Sequence, residues 1–159
     1  MKKLTFDLFG ATILNSGMIV VAITAAYLLV RLDGALGFFN FRSQLSIIFG
    51  LVILVIGIIF RFWASITFYQ NNIRVLSLKP QSTFTKNGPY RFSRNPLYVG
   101  IVAIFLGIML VVGSISGIIS SVSLFIFWDL YIRFIEEKQL ERAFGDSYRE
   151  YLNTTSRWI

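Results

Sequence analysis

Four apolar runs, Leu8–Val30, Ser43–Phe60, Leu97–Val112 and Ile118–Leu130, contain no Lys, Arg or Glu. At ~1.5 Å per residue, roughly 20 helical residues cross a ~30 Å hydrocarbon layer. Four helical spans are therefore predicted, with the last extended through Ile135. Lipid cannot satisfy free backbone groups, so a helix is the economical solution in each run. The stretch Gly113-Ser114-Ile115-Ser116-Gly117 predicts a tight turn between the two later spans. Lys2-Lys3 before the first run has the look of a secretory signal. That run is too long for a signal core, and Asp7 and Asn15 interrupt it, so a retained first helix is expected. The expected architecture is all-α: an integral membrane bundle of about four transmembrane helices with an interfacial helix and a cytoplasmic C-terminal helix. One domain is expected over 1–159, comprising a two-helix hairpin (1–62), an interfacial helix and loop (63–96), a helical hairpin (97–135) and a C-terminal helix (136–159).

Composition supports that class. The chain is 55% hydrophobic and 16% aromatic, too apolar for a soluble domain of 159 residues. It has neither Cys nor His. Disulfides, thiolate nucleophiles and imidazole bases are excluded, and zinc, haem and iron–sulfur sites lose their usual ligands. No metal is expected.

The net charge of +7 is unevenly placed. Lys2, Lys3, Arg61, Arg74, Lys79, Lys86, Arg91, Arg94, Arg133, Lys138, Arg142, Arg149 and Arg157 fall on one side of the predicted hairpins. Only Arg31 and Arg42 fall on the other, a ratio of 13 to 2. Basic residues favour the non-translocated side, so both termini and residues 79–96 are expected in the cytoplasm, with Phe38 and Ser114 outside. Attraction to anionic head groups accounts for the charge, and no nucleic-acid partner is expected.

Between the second and third runs, Arg61-Phe62-Trp63-Ala64-Ser65-Ile66-Thr67-Phe68-Tyr69 has the composition of an interfacial belt. A helix lying near the surface is predicted through Leu78, broken by Lys79-Pro80-Gln81-Ser82-Thr83. The segment Gly88-Pro89-Tyr90-Arg91-Phe92-Ser93-Arg94-Asn95-Pro96-Leu97-Tyr98-Val99-Gly100 is basic and turn-rich, and it leads straight into the third run. Asn95 fits an N-cap and Pro96 the first helical position. Because the next two runs go out and back, Glu136-Glu137 should meet this loop at the same boundary. Arg133, Glu136, Glu137 and Leu140 have the spacing of one helical face, on which Arg133 can neutralise either acid. Asp129 lies one turn deeper. An acid within a span is a functional suspect, and pairing with Arg133 is the bland account.

The loop resembles the Gly-Pro-Tyr-Arg … Arg-His-Pro-x-Tyr-x-Gly signature of the isoprenylcysteine carboxyl methyltransferase and phospholipid methyltransferase group. The tail is similar to that group's Glu-Glu-x-x-Leu-x-x-x-Phe-Gly-x-x-Tyr-x-x-Tyr pattern, through Glu136, Glu137, Leu140, Phe144, Gly145, Tyr148 and Tyr151, ending in Arg157-Trp158. The likeness covers residues 82 to 158.

The resemblance implies an integral membrane enzyme that moves a methyl group from S-adenosylmethionine to a lipid or lipid-linked acceptor, either a phospholipid amine head group or an isoprenyl or lipid carboxylate. By position it implies cofactor contacts at Ser82, Thr83, Phe84, Thr85, Tyr90, Arg94, Asn95, Pro96, Leu97, Tyr98, Gly100 and Glu136. Glu137, Arg133 and Asp129 are the implied catalytic candidates. Tyr90 and Tyr98 offer aromatic faces for adenine or a sulfonium, and Arg94 can take a carboxylate bidentately. Methyl transfer from an activated donor is an in-line displacement, for which proximity, orientation and exclusion of water do most of the work. An ammonium acceptor must first lose a proton, and Glu136, Glu137 and Asp129 are the carboxylates able to take it.

Asn95 stands where the signature usually has His, as in some phospholipid methyltransferases. The departure counts against a prenylcysteine acceptor more than against methyltransferase chemistry. Two other classes stay open on sequence: a nicotinamide-dependent sterol or enone reductase, which carries a similar His-Pro-x-Tyr-x-Gly segment, and a non-enzymatic membrane bundle or transporter. Oligomeric state has no signal.

Overall fold

In the computed structural model, which describes residues 2–71 and 84–159, every regular element among them is helical. The helices are α1 (Lys2–Leu36), α2 (Gln44–Gln70), α3 (Pro96–Val112), α4 (Ile115–Tyr131), α5 (Glu137–Phe144) and α6 (Asp146–Thr154). A 3₁₀ turn, Gly88–Arg91, precedes α3, and a π turn, Ile132–Glu136, joins α4 to α5 without a break. Among the described residues three stretches are long and apolar enough to cross a membrane: Asn15–Leu36, Gln44–Gln70 and Ile115–Phe144. The 17 residues of α3 form a shorter apolar helix.

The closest packing joins α2 to α3 through small residues seven apart. Gly50 and Gly57 of α2 face α3, whose Gly100 and Gly107 face back. A Cβ on Gly50 would meet the Gly107 carbonyl at 2.7 Å, and one on Gly107 would meet that of Gly50 at the same distance. Contacts this close need small side chains, because lipid supplies no hydrophobic drive between helices. Around this pair, Ala22, Ala26, Ile104, Ile108 and Met109 form the buried core. The outward faces of α1, α2 and α4 carry exposed Val, Leu, Ile and Phe, as helices in lipid do.

Polar locks close both ends of the bundle. At one end Asp33 accepts from Ser114 Oγ (2.6 Å) and from the Ser116 amide (2.9 Å), at the start of α4. Asn40 Nδ2 donates to the Val112 carbonyl (2.9 Å). At the other end Arg61 bridges Asn15 and the Leu97 carbonyl. Asp33 lies 18 residues from Asn15 on α1, about 27 Å by helical rise, close to a hydrocarbon thickness. Both chain termini leave from the Arg61 end, whereas Arg31 and Arg42 sit at the other.

Three expectations need correction. The turn between the later runs is tighter than 113–117: Gly113 (φ 71°) closes α3, and Ser114 caps α4 through the Gly117 amide. Its Cβ would strike the Arg42 backbone nitrogen, so glycine is required there for space as well as for φ. Arg61–Tyr69 does not begin a separate surface helix, because α2 runs on unbroken to Gln70. Its predicted extension to Leu78 and the Lys79–Thr83 break lie outside the described residues. Last, the C-terminal segment is two helices, divided at Gly145 (φ 55°).

Candidate functional site

The site end is organised by the start of α3. Gly88 takes φ 59° where a Cβ would meet Thr67 Oγ1 at 2.7 Å, so the 3₁₀ turn lies directly on α2. This brings Tyr90 against Ala64, Leu97 and Phe68, with the Phe68 ring stacked on it at 4.9 Å. One aromatic face of Tyr90 is thereby taken. Its hydroxyl is buried and has no hydrogen-bond partner among the described residues, and burial pushes the phenol well above its usual range, so it stays a neutral donor. The Tyr90 carbonyl accepts from Tyr151 Oη at 2.6 Å.

Asn95 occupies the N-cap position and Pro96 follows at the first helical position, as expected. The Asn95 side chain does not cap the helix, however. Its Nδ2 donates to the Arg157 carbonyl at 3.1 Å. The chain after α6 crosses the start of α3 here: the Arg94 amide donates to the Ser156 carbonyl (2.9 Å) and Ser93 Oγ to that of Arg157 (3.3 Å). The tail draws Asn95 away from its own helix.

The acid pair divides. In the π turn the Glu137 amide bonds the Ile132 carbonyl, five residues back. The extra residue breaks the α-helical register, so Arg133 and Glu137 no longer stack. Glu137 turns inward, where Arg94 Nη2 (3.2 Å) and the Arg157 fork (Nε 3.1 Å, Nη2 2.9 Å) surround it. Those bonds raise the Arg157 guanidinium above its ordinary range. Arg133 points outward, half exposed, and pairs with Asp129 (3.1 Å) rather than with either glutamate. Asp129 also accepts from Trp158 Nε1 (2.9 Å) and Arg157 (3.5 Å). Glu136 differs from both. Its Oε2 accepts from Tyr98 Oη at 2.8 Å, and among the described residues no cation pairs with it. Tyr98 packs on Trp128, with ring centroids 4.5 Å apart, and among the described residues Trp128 Nε1 is buried without a partner, as is Arg94 Nε.

Tyr90, Arg94, Asn95, Pro96, Leu97, Tyr98, Glu136 and Glu137 thus gather at one end of the bundle. Gly100 faces away from the loop, its Cβ position 2.6 Å from the Arg61 Cβ. Phe84 packs on Phe144, Tyr148 and Tyr151, and buried Thr85 accepts from the Asn87 amide. Ser82 and Thr83 lie outside the described residues. Arg157 and Trp158 close the site, a role that sequence reasoning gave them only as the end of the tail pattern. Trp128 it missed, and Arg61 it read only as a residue of the interfacial belt.

A family model described as phospholipid methyltransferase matches residues 45–147, from the start of α2 to the first residues of α6. No curated protein matches the chain.

Proposed function

The chain belongs to the phospholipid methyltransferase family, a family of membrane methyltransferases, and from that premise we propose that it methylates the amine of a lipid head group with S-adenosylmethionine as donor. The observation that carries the reading is Glu136: a half-buried carboxylate, bonded to the Tyr98 hydroxyl and left without a cation, beside two carboxylates that cations already neutralise. A negative charge kept open in this way suits a positively charged ligand, and both the donor and an ammonium acceptor are cations.

The residues present fit the cofactor. Among the described residues three buried polar atoms lack partners (Tyr90 Oη, Arg94 Nε and Trp128 Nε1), and a native fold tolerates few such atoms without a ligand or water to satisfy them. We assign the cofactor to Tyr90, Arg94, Asn95, Pro96, Leu97 and Tyr98, with Phe84 and Thr85 nearby in sequence. Bound there, S-adenosylmethionine supplies an electrophilic methyl group on a cationic sulfur. Tyr98 and Trp128 present aromatic surface to positive charge. Glu136 takes the ammonium proton, with Tyr98 fixing its carboxylate. Glu137 holds Arg94 and the tail in place, so it positions rather than reacts.

The bundle crosses the membrane four times in this reading, with α3 as the shorter span, and forms one domain with both termini and the site in the cytoplasm. The sorting of basic residues by end supports this orientation. In this naturally Cys-free chain, Asn87→Cys should react with an impermeant maleimide from the cytoplasmic face only, and Phe38→Cys from the outer face only. The reverse labelling would invert the assignment.

Tyr90→Phe provides a direct test of the pocket. An unpaired buried hydroxyl costs about 1–3 kcal/mol, so its removal should raise the unfolding midpoint of the ligand-free protein. The same change should weaken S-adenosylhomocysteine binding about tenfold by calorimetry, ~1.4 kcal/mol. Stabilisation with unchanged affinity would remove Tyr90 from the site. Transfer of labelled methyl from S-adenosylmethionine to extracted lipids tests the activity itself.

A further inference from the structure

Among the described residues Arg61 is the one buried guanidinium within an apolar span that pairs with no carboxylate. It is 6% exposed, two-thirds of the way along α2. Nε donates to Asn15 Oδ1 (3.0 Å) and Nη1 to the Leu97 carbonyl (2.9 Å). Asn15 in turn donates to Ser65 Oγ (3.3 Å), which aims its oxygen at the arginine. Both acceptors are neutral. Among the described residues no carboxylate lies within ion-pair distance: Glu137 and Asp129 belong to Arg94, Arg157 and Arg133, and Glu136 to Tyr98. On α1, Asp7 stands eight residues from Asn15, about 12 Å along the axis. A buried charge without a counter-charge is expensive, several kcal/mol in protein interiors. Gly100 admits Arg61 by lacking a Cβ, so the packing accommodates this cost instead of relieving it.

An apolar groove of about 530 Å³ opens between α1, α3 and α4, lined by Met18, Ala22, Ile101, Ile104, Phe105 and Phe127. It begins one turn from the partners of Arg61. Met18 and Ala22 follow Asn15 at i+3 and i+7, and Ile101 and Ile104 follow Leu97 at i+4 and i+7, so each set shares a helix face. Toward the site, Phe127 packs on Trp128, which packs on Tyr98. The Arg61 guanidinium is also within electrostatic range of the Tyr90 and Tyr98 hydroxyls.

From this juxtaposition we infer that Arg61 binds the phosphate of the phospholipid acceptor while one acyl chain lies in the α1–α3–α4 groove. The orientation of the amine toward Tyr98 and Glu136 rests on the methyltransferase reading above. The cofactor carboxylate is the other anion to weigh, and it leaves the groove unexplained. A ligand that joins an anion to a long apolar chain explains both features.

The test uses the full-length protein in detergent. Phosphatidylglycerol, which has no amine to methylate, serves as the binding probe, and diacylglycerol is its phosphate-free counterpart. Arg61→Gln should weaken phosphatidylglycerol binding at least about tenfold, ~1.4 kcal/mol, and leave diacylglycerol binding and S-adenosylhomocysteine affinity near wild type. Arg61→Lys should restore much of the loss. Ser120 also lines the groove, so Ser120→Phe, which fills it and leaves Arg61 untouched, should weaken both lipids. It keeps the proposal falsifiable should Arg61→Gln fail to fold, because unchanged lipid binding in Ser120→Phe would overturn the groove. Loss of S-adenosylhomocysteine with lipid binding intact would assign Arg61 to the cofactor and overturn the proposal. No change in either would reduce Arg61 to a helix tie. Arg61-dependent phosphatidylglycerol binding in a wild-type protein that transfers no methyl group to phosphatidylethanolamine would leave the lipid site standing and sink the methyltransferase reading instead.

Discussion

Glu136→Gln should lower methyl transfer to an amine lipid by roughly 10²–10⁴-fold, the usual worth of a positioned general base, with S-adenosylhomocysteine affinity close to wild type. The substitution keeps the shape and the acceptor for Tyr98 Oη, 2.8 Å away, but removes the charge and the proton-accepting oxygen. Tyr98→Phe should cause a smaller loss, because the carboxylate survives and only its orientation is freed. The measurement is single-turnover transfer beside calorimetric binding. Equal losses in binding and turnover would return Glu136 to the cofactor contact that the motif implies by position. Full activity in Glu136→Gln would remove the proton-accepting role.

Glu137→Gln should have the largest effect on stability. Arg94 and Arg157 converge on this carboxylate, and the Glu137 and Arg94 side chains are 11% and 10% exposed. Removing one partner of a buried ion pair leaves uncompensated charge and costs about 3–5 kcal/mol. The loss should appear as a lower unfolding midpoint and as early proteolysis after α6, since Arg157 ties the tail across Asn95. Arg133→Ala makes the contrast. Its pair with Asp129 is exposed, so a change within about 1 kcal/mol is expected. Equal effects of the two variants would mean that the π turn does not divide the acids as described.

The apolar runs alone were enough to place α1 to α4, because a span must satisfy its own backbone and must be about one membrane long. The out-and-back path of the last two runs likewise brings the Asn95–Tyr98 loop to Glu136, and Tyr98 bonds that residue. These features follow from hydropathy and length, which are properties of the chain read in order. The division between Glu136 and Glu137 was not legible in that way. It depends on a single bond to the Ile132 carbonyl, five residues back, which no residue type encodes, and a regular helical period put Arg133 on the wrong partner. Asn95 was legible as a cap position but not as a donor to the tail, because its partner is the Arg157 backbone carbonyl, a group that every residue carries. Arg61 read as a belt residue from its Trp and Tyr neighbours. Only the approach of α1 and α3, permitted by Gly100 and answered by Asn15, made it a buried cation with no counter-charge among the described residues. Local pattern determined which segments are helices and which end holds the site; contacts between segments distant in sequence decided which side chains face it.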